Sequence, residues 1–532
     1  MARHSERRLK VASLPWVIGA LIFLGAIVAH LDFVPLFDAR EYANCVVAAT
    51  TRPFTLESLR CAEHPSHAYV AMLTVAELFA RGSYVPVLLV NAALGIVALF
   101  AFSRILARVL PGDERALDRS LIGLCVAVHP VFVVSAIQLN LDFAVMVFFL
   151  VMLAAVMAER WLAAGLSGVL LTFSKEIGLL LFASTLALYL VMYVTREPGT
   201  LRDKAQRMRA LAPALLPFAC FGLYSIYRLS TASSWLWKGV SQRTLFGALT
   251  SFQLTDPVFV SYAVGLFVLH GVWIASLVIS FDAIGGVVRW LFAMAPRDLD
   301  GLDRRRAHFV IVSFVLVAFF VTRFRTYTNV RYFLVAYPLL FAVFALSLIR
   351  LRLRSSFRRA LVAAVAALLI VSNFRTVDLA SRVAFGVFYF GEHEMLSVTS
   401  ITNECCGHGR DQLVYNLEVT KLHDLQNDVF VDVAAGADTV FLVDRLARWF
   451  IGGPIDPSTH RRTLQRVGAV TPRFLAPDEA VASKPDRLYY LAFPYVERDI
   501  APLLPYYDTV STKRYLRSGY ALDVTVLKKK GT

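Results

Sequence analysis

The 532-residue chain is 57% hydrophobic and only 17% charged, with a mean hydropathy of +0.60. A water-soluble globule of this composition would leave too much apolar surface uncovered, so the sequence reads as a polytopic membrane protein. Its net charge of +15 does not imply a nucleic-acid partner, because Lys and Arg form short clusters beside apolar runs, as cytoplasmic anchors do.

The first apolar run, Leu14 to Phe37, follows the basic stretch Arg3, Arg7, Arg8 and Lys10. It is too long for a signal core and has no small-residue cleavage site before Asp38, so it reads as a first span with a cytoplasmic N-terminus. An external loop, 38–81, follows; within it Thr55 to Arg60 and Ser66 to Phe79 can form short helices, the second apolar enough for the interface. Val85 to Leu106 returns to Arg104, Arg108, Arg115 and Arg119. Leu121 to Val134 goes out, Asn140 and Asp142 lie near the turn, and Phe143 to Met157 comes back. Leu162 to Phe173 exits to Ser174, Lys175 and Glu176, and Ile177 to Val194 returns to the basic loop Arg196 to Arg209.

Leu211 to Leu229 exits into a loop with Trp235, Trp237, Lys238, Gln242 and Arg243, and Val258 to Ser280 leads to a connection rich in Arg. Phe309 to Thr322 exits to Arg323, Arg325 and Arg331; Tyr332 to Leu348 returns to Arg350 through Arg359; Leu361 to Val371 exits last. This threading predicts about eleven spans, with about twenty-four Lys and Arg inside and about eleven in the outer loops among the spans. After about Phe374 the apolar runs shorten to strand length, as in Asp438 to Val443, Arg487 to Phe493 and Tyr520 to Leu527. With a helical patch at Asp444 to Ile451, residues 374–532 read as a soluble α/β domain, placed outside by the odd number of spans.

Cys45 and Cys61 share the first external loop, where either a disulfide or two free thiols under the interfacial helix fits. Cys405 and Cys406 are adjacent, and no Cys/His spacing reads as a zinc site.

Four charged features fall on the outer side. Asp38 and Glu41 stand three residues apart at the end of the first run, on one face if the helix continues. His64-Pro65 follows in the same loop, and the proline suits the start of the next helix. Lys175 and Glu176 lie between two apolar spans, where ionisable groups are costly unless they meet a ligand, water or each other. Arg323, Arg325 and Arg331, with Tyr332, gather guanidinium groups on the side that the positive-inside rule depletes; a lipid-linked phosphate or anionic headgroups would suit them.

On these motifs, over about residues 14–372, the chain resembles the GT-C superfamily of membrane glycosyltransferases, in particular bacterial enzymes similar to protein O-mannosyltransferases and the lipid A aminoarabinose and galacturonic acid transferases. Pro65 is followed by Ser66 where close relatives often have a second proline, and Ala39 and Arg40 separate acids that are often adjacent. The resemblance implies a transmembrane catalytic domain, 1–373, in a bacterial inner membrane. It also implies transfer of a sugar from a polyprenyl phosphate to a glycan, lipid or protein acceptor at the external face. Asp38 is then the candidate general base for one inverting displacement, with Glu41 beside it. Lys175, Arg331, Arg243, Arg325 and His64 are candidates for the donor phosphate, supported by Glu176, Tyr332 and Asp142. No cofactor or metal is expected, although Asp38 and Glu41 could hold a divalent ion in some members. A flippase, or a polymerase or ligase of lipid-linked glycans, is the alternative; the first usually shows paired halves or broken midplane helices.

Overall fold

The computed structural model describes residues 2–531 except 32–34, 36–37, 52, 54, 62–63, 196–200, 232–256, 292–302, 324–329, 391, 397–410, 444–451, 465–467 and 493–499. Arg243, Arg325, Trp235, Trp237, the Cys405-Cys406 pair and the predicted helical patch at 444–451 therefore lie outside the described residues.

Helix α1 (Ala2–Val28) stops well short of the predicted Phe37. His30 turns its Nδ1 back onto the Ala26 carbonyl at 2.7 Å, and Pro35 lacks the N–H that a continuing helix needs. Asp38 instead opens a separate helix, α2 (Asp38–Ala49), with both acids in its first turn, where carboxylates complement the helix dipole. The predicted helix at Thr55 to Arg60 is a set of turns, because Thr55 and Ser58 bond each other's backbone and compete with helical pairing. Helix α3 (His67–Glu77) forms as predicted.

A disulfide joins Cys45 on α2 to Cys61. It closes a loop spanning 16 positions, so replacing both cysteines by serine should cost about 3 kcal/mol by the chain-entropy estimate. Thermal unfolding with and without the pair, in non-reducing detergent solution, measures this.

Among the described residues, five helices are long and apolar enough to cross a bilayer alone: Val85–Val109, Ile177–Val194, Ala212–Ser230, Arg304–Arg323 and Ser355–Ser372. Counting each of two bent pairs as one span brings the number to seven. The other predicted spans fall on shorter apolar helices, Ser13–Val28, Leu141–Met157, Trp161–Thr172 and Tyr337–Arg350. The chain is a multi-pass membrane protein, but length and composition do not confirm the predicted count of about eleven.

Two of the predicted spans, Leu121 to Val134 and Val258 to Ser280, fall on bent pairs of helices. Asp113–Ala127 meets Pro130–Ile137 at 53°, and Phe259–Gly271 meets Trp273–Arg289 at 113°. Proline at the start of the following segment explains the first break. At the second, His270 and Gly271 take φ values of 57° and 81°, and a Cβ on Gly271 would lie 2.1 Å from Leu368 Cδ2. The two breaks face each other: the His129 and His270 ring centres are 6.1 Å apart.

Charged groups sort to opposite ends of the bundle. Arg358 and Arg359 both grip Asp118, and Arg350 pairs with Asp282 at 3.4 Å. Arg350 closes a 14-residue helix that starts just after Arg331, so these two arginines are separated by roughly 20 Å of helix.

After the last apolar helix, Ser355–Ser372, the strands begin at Val387. Strands β1 (Val387–Phe390) and β2 (His393–Leu396) form a hairpin. The main sheet has the order β4-β3-β5-β7-β6, where β3 is Val440–Leu442, β4 Arg473–Leu475, β5 Arg487–Ala492, β6 Tyr507–Arg517 and β7 Tyr520–Lys529. The helix Leu413–Asp432 covers one face, with Phe430 against Phe441 at 5.0 Å, and joins it to the bundle core. The other face makes a small second core from Leu442, Leu488, Tyr490 and Leu527. Three of these strands match the predicted apolar runs. Strand β6 is mostly exposed and has no apolar alternation; Ser518 and Gly519, at φ 49° and 82°, fold it back onto β7.

Candidate active site

Four chain segments meet at one end of the bundle. Helix α2 brings Asp38; an extended Gln138-to-Asn140 connector leads into the helix Leu141–Met157, which brings Asp142; Ser174 to Glu176 precede the helix Ile177–Tyr189; and the turn Val330–Phe333 brings Arg331. Arg331 is the hub. Its Nη2 pairs with Asp38, its Nη1 donates to Asn140 Oδ1 at 3.1 Å, and its Nε lies 3.6 Å from Asp142 Oδ2. Lys175 Nζ donates to both oxygens of Asp142, at 2.8 and 2.9 Å, and lies 4.8 Å from the centre of the Tyr332 ring.

Two cations and two carboxylates thus interlock, but not equally. The side chains of Lys175, Arg331 and Asp142 are 6%, 7% and 8% exposed, whereas that of Asp38 is 44% exposed. Buried charge survives only when paired, so Asp142 serves to hold both cations, and Asp38 is the member that a reactant can reach. Burial works against the charge of Arg331, but Asp38, then Tyr332 and Asp142, outweigh it and hold its pKa above the ordinary arginine value. Tyr42, on α2, lies in the field of the same groups, and burial pushes its hydroxyl well above the usual range, so it stays a neutral phenol.

Lys175 and Glu176 do not pair only with each other, the simpler reading of that dipeptide. Glu176 Oε1 instead meets His64 Nδ1 at 2.6 Å. Burial pushes the Glu176 carboxyl up, but the His64 hydrogen bond and charge, with Lys175, prevail and leave it below its ordinary value. Glu41 is exposed and forms no ion pair among the described residues. Sequence reasoning gave Asn140 and Tyr42 no role and treated Asp142 as a mere support. The spacing Asn140-Leu141-Asp142 at the head of an apolar helix was the available signal. Among the described residues no group of three or more His, Cys, Asp or Glu side chains is placed to hold a metal ion.

His67, at the start of α3, packs edge-on to Phe173 and Tyr224 at 5.8 and 4.9 Å, beside the Lys175 turn. Burial, only partly offset by Glu57, pushes its pKa down to about 4. The unfolded chain takes up this proton near pH 6.5, so stability falls as the pH drops from 6.5 towards 4, by at most about 3 kcal/mol. His67→Phe should flatten that part of the profile, read as the unfolding temperature at pH 7.5 and pH 5.

No family model matches the chain, and no curated protein sequence matches it either. Solved structures do. The crystal structure of ArnT from Cupriavidus metallidurans bound to undecaprenyl phosphate superposes with a TM-score of 0.53 and 14% identity, over 96% of this chain and 97% of that one. The chain has the ArnT fold. The apo structure of ArnT from the same organism gives a TM-score of 0.50 at 14% identity, with the same coverage. The GT-C resemblance read from short motifs is therefore matched in the fold, including the C-terminal sheet region, since the likeness to ArnT runs over nearly the whole of both chains.

Proposed function

We propose that the protein is a membrane glycosyltransferase that moves a sugar from a polyprenyl phosphate to an acceptor at the extracytoplasmic face. Residues 1–373 form its transmembrane catalytic domain and 374–532 an extracytoplasmic α/β domain. The observation that carries this reading is the half-exposed Asp38 tied through Arg331 to a buried Asp142–Lys175 pair at one end of an ArnT-like fold. The undecaprenyl phosphate bound to ArnT supports a lipid phosphate as the carrier here.

In this reaction the acceptor oxygen attacks the anomeric carbon while its proton passes to Asp38. The bond from that carbon to the phosphate oxygen breaks, with its electron pair leaving on the phosphate, and the configuration inverts. The transition state has oxocarbenium character, and Arg331 and Lys175 face the charge that grows on the leaving phosphate. Arg331 couples the two halves. A phosphate that draws on its guanidinium weakens its hold on Asp38, and the carboxylate becomes a better base as the donor arrives. Arg243 and Arg325, which lie outside the described residues, are further candidates for contact with the donor phosphate, on their charge alone. His64, held by Glu176, frames the same end of the bundle.

The direct test is transfer of radiolabelled sugar from a panel of purified polyprenyl-phosphate sugars by the reconstituted protein. Transfer supports the reading; movement of donor across the bilayer without transfer would replace it with a flippase. The two facing helix breaks at His129 and His270 are the observation in favour of that second reading, since broken helices are common in transporters.

A further inference from the structure

Asp38 and Asp142 sit on different segments, and each is tied, through a near neighbour, to the same C-terminal part of the chain. Arg40 follows Asp38 by two residues in the first turn of α2 and so leaves the helix on nearly the opposite side. With Asp38 turned towards Arg331, Arg40 faces the C-terminal region, where its Nη1 donates to the carbonyl of Gly452. Arg462 Nη2 donates to that same carbonyl at 3.3 Å. Gly453 has φ 141°, and a Cβ there would lie 3.2 Å from Arg40 Nη1, so the glycine lets the arginine lie against the turn.

The second tie reaches the other carboxylate. Gln138, in the extended connector, donates from Nε2 to Asn416 Oδ1 at 2.7 Å, and both side chains are buried. Asn416 stands on the helix Leu413–Asp432, where its Nδ2 donates to the Gln412 carbonyl at 3.0 Å. Gln138 precedes Asn140, which accepts from Arg331, by two residues, and Asp142 by four. The C-terminal region therefore holds α2 from one side and the head of the Asp142 helix from the other.

We propose that the C-terminal α/β region is a positioning platform for the reaction, with Arg40 and Gln138 as positioning residues that fix the distance between Asp38 and the buried Asp142–Lys175 pair. This inference rests on the transferase reading above. A helix held at residue 40 cannot swing residue 38, and a connector held at residue 138 cannot slide the start of the next helix. Misplacement of a reacting group by about 1 Å can cost on the order of 100-fold in rate.

The test uses the full-length protein in nanodiscs with Arg40→Ala, Arg40→Lys and Gln138→Met, the last removing the hydrogen bond at nearly constant volume. Arg40→Ala and Gln138→Met should each lower kcat roughly 10-fold with donor KM nearly unchanged, and Arg40→Lys should recover part of the loss. Amide hydrogen exchange should rise in α2 for the Arg40 variant and in residues 138–142 for the Gln138 variant. A raised KM at unchanged kcat would make these residues binding groups and overturn the platform. Exchange and kcat both unchanged would overturn it as well. Exchange is measurable whether or not the chain turns over, so a wild-type protein without transferase activity would sink the proposed reaction while the exchange data still decide whether the clamp exists.

Discussion

Asp38→Asn should abolish sugar transfer, with a loss on the order of 1,000-fold, while leaving donor binding intact or slightly tighter. The asparagine keeps the shape of the side chain and a carbonyl oxygen for Arg331, but it cannot accept the acceptor's proton. Asp38 is also the more exposed partner of its ion pair, so its loss costs little folding stability. The increase in donor affinity follows from competition: Arg331 pairs with Asp38 in the resting protein, and a phosphate that binds Arg331 no longer has to displace a full carboxylate charge. A phosphate-binding role for Asp38, direct or through a cation, would give the opposite result, with weaker donor binding and a residual rate. Polyprenyl-phosphate titration beside single-turnover transfer separates the two, and full turnover by the variant would remove Asp38 from the chemistry.

Much of this site was legible because charge inside an apolar chain is costly and so announces itself. Asp38, Lys175 and Arg331 were visible as ionisable groups beside apolar runs, and the three converge as their common side suggested. Their pairing was not legible. Lys175 and Glu176 are adjacent, and a sequence cannot reveal that the first turns to Asp142 and the second to His64. The break after α1 was readable in Pro35, but hydropathy alone carried the span on to Phe37. Likewise an apolar run cannot show that His270 and Gly271 bend it by 113°, because the strain is in backbone angles and not in composition. In the C-terminal region the buried strands β3, β5 and β7 have apolar runs, whereas the exposed β6 depends on pairing with β7. Its sequence therefore looks like loop.

Asp142→Ala is expected to be the most destabilising single change at the site, by about 3–5 kcal/mol, because it takes the paired carboxylate from the buried Lys175 and the second of two carboxylates from the buried Arg331, which keeps Asp38. Loss of transfer in that variant would be uninformative alone, since a protein that loses its fold loses everything. The double variant Asp142→Leu with Lys175→Met resolves the ambiguity. Replacing a buried ion pair by apolar groups of similar volume is often neutral or better for stability, so the unfolding temperature should return close to that of the wild type. If Lys175 serves the leaving phosphate, the restored protein still binds donor weakly and transfers no sugar. If the pair were only a strut between the helices Leu141–Met157 and Ile177–Tyr189, stability and transfer would recover together. Arg331 makes the first outcome the expected one: it keeps Asp38 and Asn140 in the double variant, so the base stays in place and what is removed is the second cation facing the phosphate.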